Sequence, residues 1–434
     1  MTGADLPGSS GLPWLGETLA FIADGFVFAN TRAAAHGPIV RTRVLGEDAV
    51  LLSGVEATEA FNDPERVQRS KAAPSFVIEL FAGESLPFID GDTHRARKAL
   101  VMSAFTHEAL AGYFSVFVPR VAERLKALCA GGAFSGEEAY RRLVLELIAE
   151  TLLGLDDRAV VDAVVADFSV LAAGFGALPV ALPGGGFSRA LAARDRIVGH
   201  LRAALKAHQA TPRDDGLGRM LKYREAHPEA GTDEEIVREL HHFNIAGYIT
   251  FAHLCEATVA LAETPALAAA LRDEVGAGAI TPSTLRNAPQ LVAFVEEVKR
   301  LTRFAPVFFG RAKAAFSFAG KTVPEGWLVL WAHANAQRDA KALVDPERFD
   351  HTRFLAPREE HLKNPAAVSP QGYGDPHRSH KCAGYDFATT LLQVIVATLV
   401  QGYDVTLPAQ DLTLKTNTIP PHRPGALRVS LRAR

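Results

Sequence analysis

The chain has 434 residues, 48 % apolar and 22 % charged, a balance that excludes a disordered or fibrous protein and predicts a packed fold. Lys plus Arg total 46 against 49 Asp plus Glu, a net charge of −3, so no global field draws nucleic acid or an anionic membrane surface.

Residues 1–30 carry no basic flank before their apolar stretch, and Asp24 and Gly25 interrupt it. No signal peptide is expected, and the protein is expected to stay in the cytoplasm. Strand-like runs follow at 39–44 and 49–53, then apolar residues at three- and four-residue spacing predict helices over 114–130 and 140–155. The Pro- and Gly-rich stretch 178–186 reads as a loop, 188–208 as a helix, and the polar stretch 210–231 as a second loop. Helical spacing resumes over 234–262 and 290–302, a strand is expected at 327–331, and a C-terminal group of strands within 403–431. The apolar run 391–400 is too short to span a bilayer and contains Gln393 and Thr398, so no membrane span is expected. No linker or internal repeat divides the chain, which predicts one mainly helical domain over 1–434 with a minor sheet.

Cysteines occur at 129, 255 and 382, an odd number with no C-x-x-C pair, which argues against a disulfide framework or a zinc site. Cys382 ends a glycine-rich loop that begins at Gln371, and a helical pattern starts at Tyr385. Its sulfur is therefore expected near a helix N-terminus, where the dipole and free N–H groups favour thiolate. A lone cysteine is more often a small buried hydrophobe, but two further signals accompany it. Glu297 and Arg300 lie three apart on one predicted helix face and can pair, and the run Asp345-Pro346-Glu347-Arg348-Phe349 follows.

The order E-x-x-R, P-E-R-F, then a glycine-rich loop with Cys-x-Gly resembles the cytochrome P450 family. The resemblance implies the P450 fold, Cys382 as the ligand of a haem b iron, and Glu297, Arg300 and Arg348 as a buried ion network. The stretch Asp90-Gly91-Asp92-Thr93-His94-Arg95-Ala96-Arg97-Lys98 is similar to the helix that grips the haem propionates, in the form found in bacterial fatty-acid peroxygenases. It implies His94 and Lys98 as propionate donors, with His380 and, more weakly, Arg311 beside them. Leu45-Gly46, Asp63-Pro64-Glu65-Arg66 and the long Q-G-x-G-D loop before Cys382 agree with that branch.

One departure concerns the helix expected across the distal haem face. The peroxygenase branch carries an Arg-Pro pair there, and this chain has none between Leu240 and Phe251. The stretch instead resembles the A-G-x-(D/E)-T motif of oxygen-using members, with Ala246, Gly247 and Thr250 present and Ile249 in the place of the acid. Phe243-Asn244-x-x-Gly247 also looks like the F-N-x-x-G of plant hydroperoxide-rearranging relatives. Three-residue steps keep Asn244, Gly247 and Thr250 roughly on one helical face, which marks them as catalytic candidates, while His241, His242 and His253 read as surface or packing residues.

The resemblance thus implies oxygen insertion into an apolar small molecule. Hydrogen peroxide is the first reading of the oxidant, because the depleted proton relay suits an oxidant that brings its own protons and electrons. A dioxygen-dependent monooxygenase fed by a ferredoxin-type donor is the second, hydroperoxide rearrangement the third, and a non-catalytic haem protein the remote alternative. The loop 178–186 and Leu86-Pro87-Phe88-Ile89 are the candidate access elements.

Overall fold

The computed structural model describes residues 5–303, 305–416, 421 and 423–434. It is a mainly helical protein in which ten helices frame the functional residues: α1 (Gly91–Met102), α2 (His107–Ala130), α3 (Gly136–Thr151), α4 (Arg158–Gly174), α5 (Gly186–Ala210), α6 (Gly216–Ala226), α7 (Asp233–Tyr248), α8 (Thr250–Glu263), α9 (Pro289–Leu301) and α10 (Tyr385–Gly402). Their starts follow local chemistry. Thr106, Ser135 and Asp157 accept backbone N–H bonds at the heads of α2, α3 and α4. Thr232 and Glu235 form a reciprocal capping box at the head of α7, whose first turn is acidic.

One expectation changes in the structure. The stretch 210–231 is not a continuous loop, since it contains α6. Asp215 caps α6, and Leu217, Met220 and Leu221 are buried on one side of it at helical spacing. The helical stretch over 234–262 is present and is interrupted only at Ile249, whose backbone stays right-handed helical, between α7 and α8.

A sheet of five strands stands beside the helices, in the order Ile39–Val44, Glu47–Leu52, Leu328–Trp331, Phe308–Ala312, Val67–Gln68. The pair Glu47–Leu52 and Leu328–Trp331 is parallel, with Ala49 opposite Leu328 and Leu52 opposite Trp331. Alternation along the strands sends Val50, Leu52, Val329 and Trp331 into one apolar layer, and Ala49, Leu51, Leu328 and Leu330 into another. At the C-terminus, Tyr403–Thr406 and Arg428–Ala433 pair antiparallel, and positions 417–420 and 422 of the expected strand group lie outside the described residues.

The largest core is helical and joins α2 to α5 and α7 to α10. Among the described residues, Asp233–Glu263 is the one helical stretch long and apolar enough to cross a bilayer. Of its most apolar window, 61 % is buried inside the fold, so this hydropathy belongs to a core element.

Candidate active site

The loop before α10 is folded onto itself by its own polar groups. Asp375 accepts from the N–H of His377 at 2.7 Å through its side chain and from the N–H of Ser379 at 2.8 Å through its carbonyl. The N–H of Cys382 donates to the carbonyl of Gln371 at 2.8 Å. Gly372 sits at φ 93°, and a Cβ there would stand 3.0 Å from the Cα of Lys381, so the return of the chain towards Cys382 requires glycine. Cys382 is thereby held, half-buried, just before Gly384, the cap of α10.

Behind this loop, α9 and α10 are pinned together. Lys299 is buried, donates to Thr389 at 2.8 Å and to Glu296 at 3.2 Å, and lies 3.4 Å from the ring centroid of Tyr385. The Tyr385 hydroxyl donates to Glu296 at 2.7 Å. The other cysteines are placed differently. Burial pushes the Cys255 thiol well up, and Cys129 donates to the carbonyl of Leu431. No cluster of three or more His, Cys, Asp or Glu suited to a metal ion occurs among the described residues.

A lysine and two histidines gather at the approach to Cys382. Lys98, on α1, is buried and donates to the carbonyl of Lys381. Burial pushes its pKa down to about 8. The rings of His94 and His380 are 4.2 Å apart. Burial, together with the charges of His380 and Lys98, pushes His94 down to about 3, and its Nε2 has no hydrogen-bond partner. His380 meets Asp90 at 3.2 Å, and Asp90 also accepts from the N–H groups of Arg69 and Ser70 and from the Ser70 hydroxyl. Burial works to raise the Asp90 pKa, and these bonds overcome it and hold the carboxyl well below its usual range.

A buried imidazole nitrogen without a partner, beside an ammonium and a second imidazole, is a donor set suited to the carboxylates of haem. Cys382, His94, Lys98 and His380 therefore fit that group. Arg311 does not join them. Its guanidinium is committed to Glu47 at 2.8 Å and to the carbonyls of Gly326 and Lys71 at 2.8 and 3.0 Å. The arginine near the cluster is Arg69, which is buried, donates to the Phe61 carbonyl at 3.0 Å and to Asn62 Oδ1 at 3.1 Å, and stacks 3.8 Å over the Phe61 ring.

The ion network also differs from expectation in one member. Arg300 makes a bidentate pair with Glu297 at 2.7 and 2.8 Å. The second guanidinium on Glu297 is that of Arg353, at 3.1 Å to both oxygens, and Arg353 continues to Glu360 at 2.7 Å. Glu297, Arg300 and Arg353 are each 0 % exposed. The Arg348 side chain is exposed, and only its backbone carbonyl reaches the network, accepting from Arg353 at 3.3 Å. The P-E-R-F turn thus contributes carbonyls, and the η-turn of chain at His351–Phe354 delivers the charge.

Across from the cysteine loop lies α7. Phe105 links the two, with ring centroids 5.3 Å from Phe243 on α7 and 5.9 Å from Phe387 on α10. Ala246 is exposed near the C-terminal end of α7, among residues that are buried or half-buried, which marks the open side of the helix. Asn244 is 0 % exposed, and both polar atoms of its amide lack partners. Two residues from Ala246, it points roughly 160° away around the helix. Gly247 serves packing, since a Cβ there would stand 2.2 Å from Cδ1 of Ile148 on α3. Thr250 is buried at the first position of α8, immediately after the turn. Asn244 thus points away from the open face and Gly247 meets α3, while Thr250 stands four residues after Ala246.

A polar side chain towards the open side is His242, four residues before Ala246 and partly exposed. Its Nδ1 is 3.0 Å from Glu239, a fully buried carboxylate. The Glu-x-x-His spacing was the available sequence signal for this pair. When haem is bound, thiolate donation to the iron favours O–O cleavage. The chain's own groups orient the carboxylates, hold the sulfur and set which polar atoms meet the oxidant.

Comparison with known proteins agrees with this architecture. The cytochrome P450 family profile matches residues 6–427. The chain is 28 % identical to the putative cytochrome P450 120 of Synechocystis over 98 % of its own length and 96 % of that protein's. It superposes on the retinoic-acid-bound cyanobacterial CYP120A1 with a TM-score of 0.90, 27 % identity and 99 % of each chain covered. It shares its fold with cytochrome P450EX alpha, solved with myristic acid, at a TM-score of 0.83, 23 % identity and 99 % coverage of both chains. A family profile spanning nearly the whole chain, on a fold that brings a half-buried cysteine under a central helix, establishes that this protein belongs to the cytochrome P450 family of haem-thiolate oxygenases.

Proposed function

We propose that the protein hydroxylates an apolar organic molecule at a haem b bound through Cys382, with hydrogen peroxide as oxidant. The observation that carries this reading is the convergence of Cys382, Lys98, His94 and His380 beneath the open side of α7, where Ile249 stands in place of a relay acid. An apolar substrate is supported by the aromatic group at the approach. Phe81 meets Phe88 at 4.9 Å and Phe175 at 6.1 Å, next to Leu86 and Pro87. In the loop expected to control access, Leu178, Val180 and Leu182 are exposed.

Two experiments test the reading. The ferrous carbonyl complex of the holoprotein is expected to show the red-shifted Soret band of a thiolate-ligated haem, and Cys382→Ser to abolish it; a band that survives the substitution refutes the ligand assignment. Hydrogen peroxide without any reductase is expected to support product formation on a panel that includes retinoic acid and its methyl ester. Because no Arg-Pro pair stands between Leu240 and Phe251 to anchor a carboxylate, acid and ester are expected to turn over alike.

A second reading is a dioxygen-dependent monooxygenase fed by a ferredoxin-type donor, favoured by the retention of Thr250 beside the α7–α8 turn. If peroxide only bleaches the haem while a reductase system forms product, this reading replaces the first. Hydroperoxide rearrangement loses its support, because Asn244 is buried away from the open side.

A further inference from the structure

Glu239 is a buried carboxylate with three hydrogen-bonding neighbours. Its Oε1 accepts from the N–H of Leu86 at 2.9 Å and from Arg97 at 3.3 Å, and its Oε2 meets His242 Nδ1 at 3.0 Å. Arg97 is itself buried and tied to Glu235 and to the carbonyl of Ala230 at 3.2 Å. A carboxylate on Nδ1 fixes the tautomer in which Nδ1 carries hydrogen and Nε2 carries the lone pair. No described residue hydrogen-bonds to that Nε2. The ring lies 6.0 Å from Phe81 of the apolar approach, and its position on α7 is one turn before Ala246. Arg97, which binds Glu239, is followed on α1 by Lys98, which donates to the carbonyl of Lys381 next to Cys382, so the pair and the thiol belong to one region of the molecule.

From this geometry we infer that His242 is the acid–base residue of the site, with Glu239 as its positioning residue. The inference rests on the haem-thiolate, peroxide-using reading above and names the group that handles its proton. Nε2 accepts the proton from one oxygen of hydrogen peroxide and returns it to the other as the O–O bond breaks. That oxygen leaves as water, and the remaining one is inserted into the substrate C–H bond, so that R–H and H2O2 become R–OH and H2O. Peroxide oxygen is reduced and substrate carbon oxidised, and His242 ends as it began. The dyad thus supplies the acid–base group that Ile249 does not.

The test uses holoprotein and a reaction that involves no turnover. Hydrogen cyanide must lose its proton to bind ferric haem, so a base beside the iron accelerates its association. His242→Ala and His242→Gln are expected to slow both cyanide association and the initial reaction with peroxide by about 100-fold or more, the lower range for loss of a positioned general base. Glu239→Gln is expected to give a smaller loss in both rates, since the imidazole remains but its tautomer is no longer held. The ferrous carbonyl band of each variant checks the site independently: absence of the band in wild type defeats the haem-thiolate reading itself. Variants that keep the band and react with cyanide and peroxide within twofold of wild type overturn the role of His242. Should His242→Ala not fold, His242→Gln decides the matter alone.

Discussion

Glu297 is the carboxylate on which two fully buried guanidinium groups depend, and it also accepts from the N–H of Asp350 at 2.8 Å. Removing it leaves two charges uncompensated in a dry interior, whereas removing Arg348 takes away an exposed side chain and leaves its carbonyl in place. Glu297→Ala and Arg353→Ala are therefore expected to cost about 3–5 kcal/mol and to prevent stable haem incorporation. Arg348→Ala is expected to change stability by no more than about 0.5 kcal/mol. Thermal melts and haem occupancy of the three variants check this. A large loss at Arg348 with none at Arg353 would restore the arginine of the P-E-R-F motif to the network.

The helix pair α7–α8 joins two demands on one element. Its open side carries His242 and Ala246, and its buried side packs against α3, where Gly247 leaves room for Ile148. Gly247→Ala is expected to destabilise by about 1–3 kcal/mol through overpacking, because Ile148 is itself 1 % exposed and has little space to retreat. Trimming the neighbour with Ile148→Val removes the Cδ1 in question. The double variant is expected to recover more than half of the loss, a coupling that a double-mutant cycle of melting free energies measures. Additive losses would show that Gly247 is needed for some reason other than α3, such as approach to a ligand on the open side.

Across the whole molecule, three histidines outside the Cys382 approach are buried neutral. Burial pushes His241 down to about 4, His253 to about 3 and His333 to about 4. In the unfolded chain each ionises near the ordinary value of 6.5. Between those values the unfolded state binds protons that the folded state does not, so the depressed pKa values make stability fall as pH drops from about 6.5 towards about 4. His241 Nε2 donates to the carbonyl of Leu80 at 2.9 Å, a bond that glutamine is able to replace. His241→Gln is therefore expected to make the decline of unfolding free energy shallower by up to about 1.4 kcal/mol per pH unit. Denaturant melts of both proteins from about pH 7 to about pH 5 provide the comparison. Parallel curves would mean that His241 is protonated in the folded state.

Much of this protein is written in local pattern. Helical spacing located α5, α7 with α8, and α9, and alternation located the strands Ile39–Val44 and Leu328–Trp331, because these periods record which side of an element faces the core. The order of short motifs identified the family and singled out Cys382 from three cysteines, since the glycines and the Asp375 turn that hold its loop are close in sequence. Contacts between distant segments were not legible in that way. Whether Arg348 or Arg353 turns inward depends on how the chain after α9 wraps Glu297, and the motif is compatible with either. Which side of α7 is open depends on α3 covering Gly247 and on the core enclosing Asn244. The aim of His242 is decided furthest away of all: Glu239 holds it only because Arg97 and the N–H of Leu86, 142 and 153 positions distant, lock the carboxylate. Periodicity reports that a residue is buried, and only tertiary packing selects its partner, because the partner's charge arrives from an element whose position no local spacing encodes.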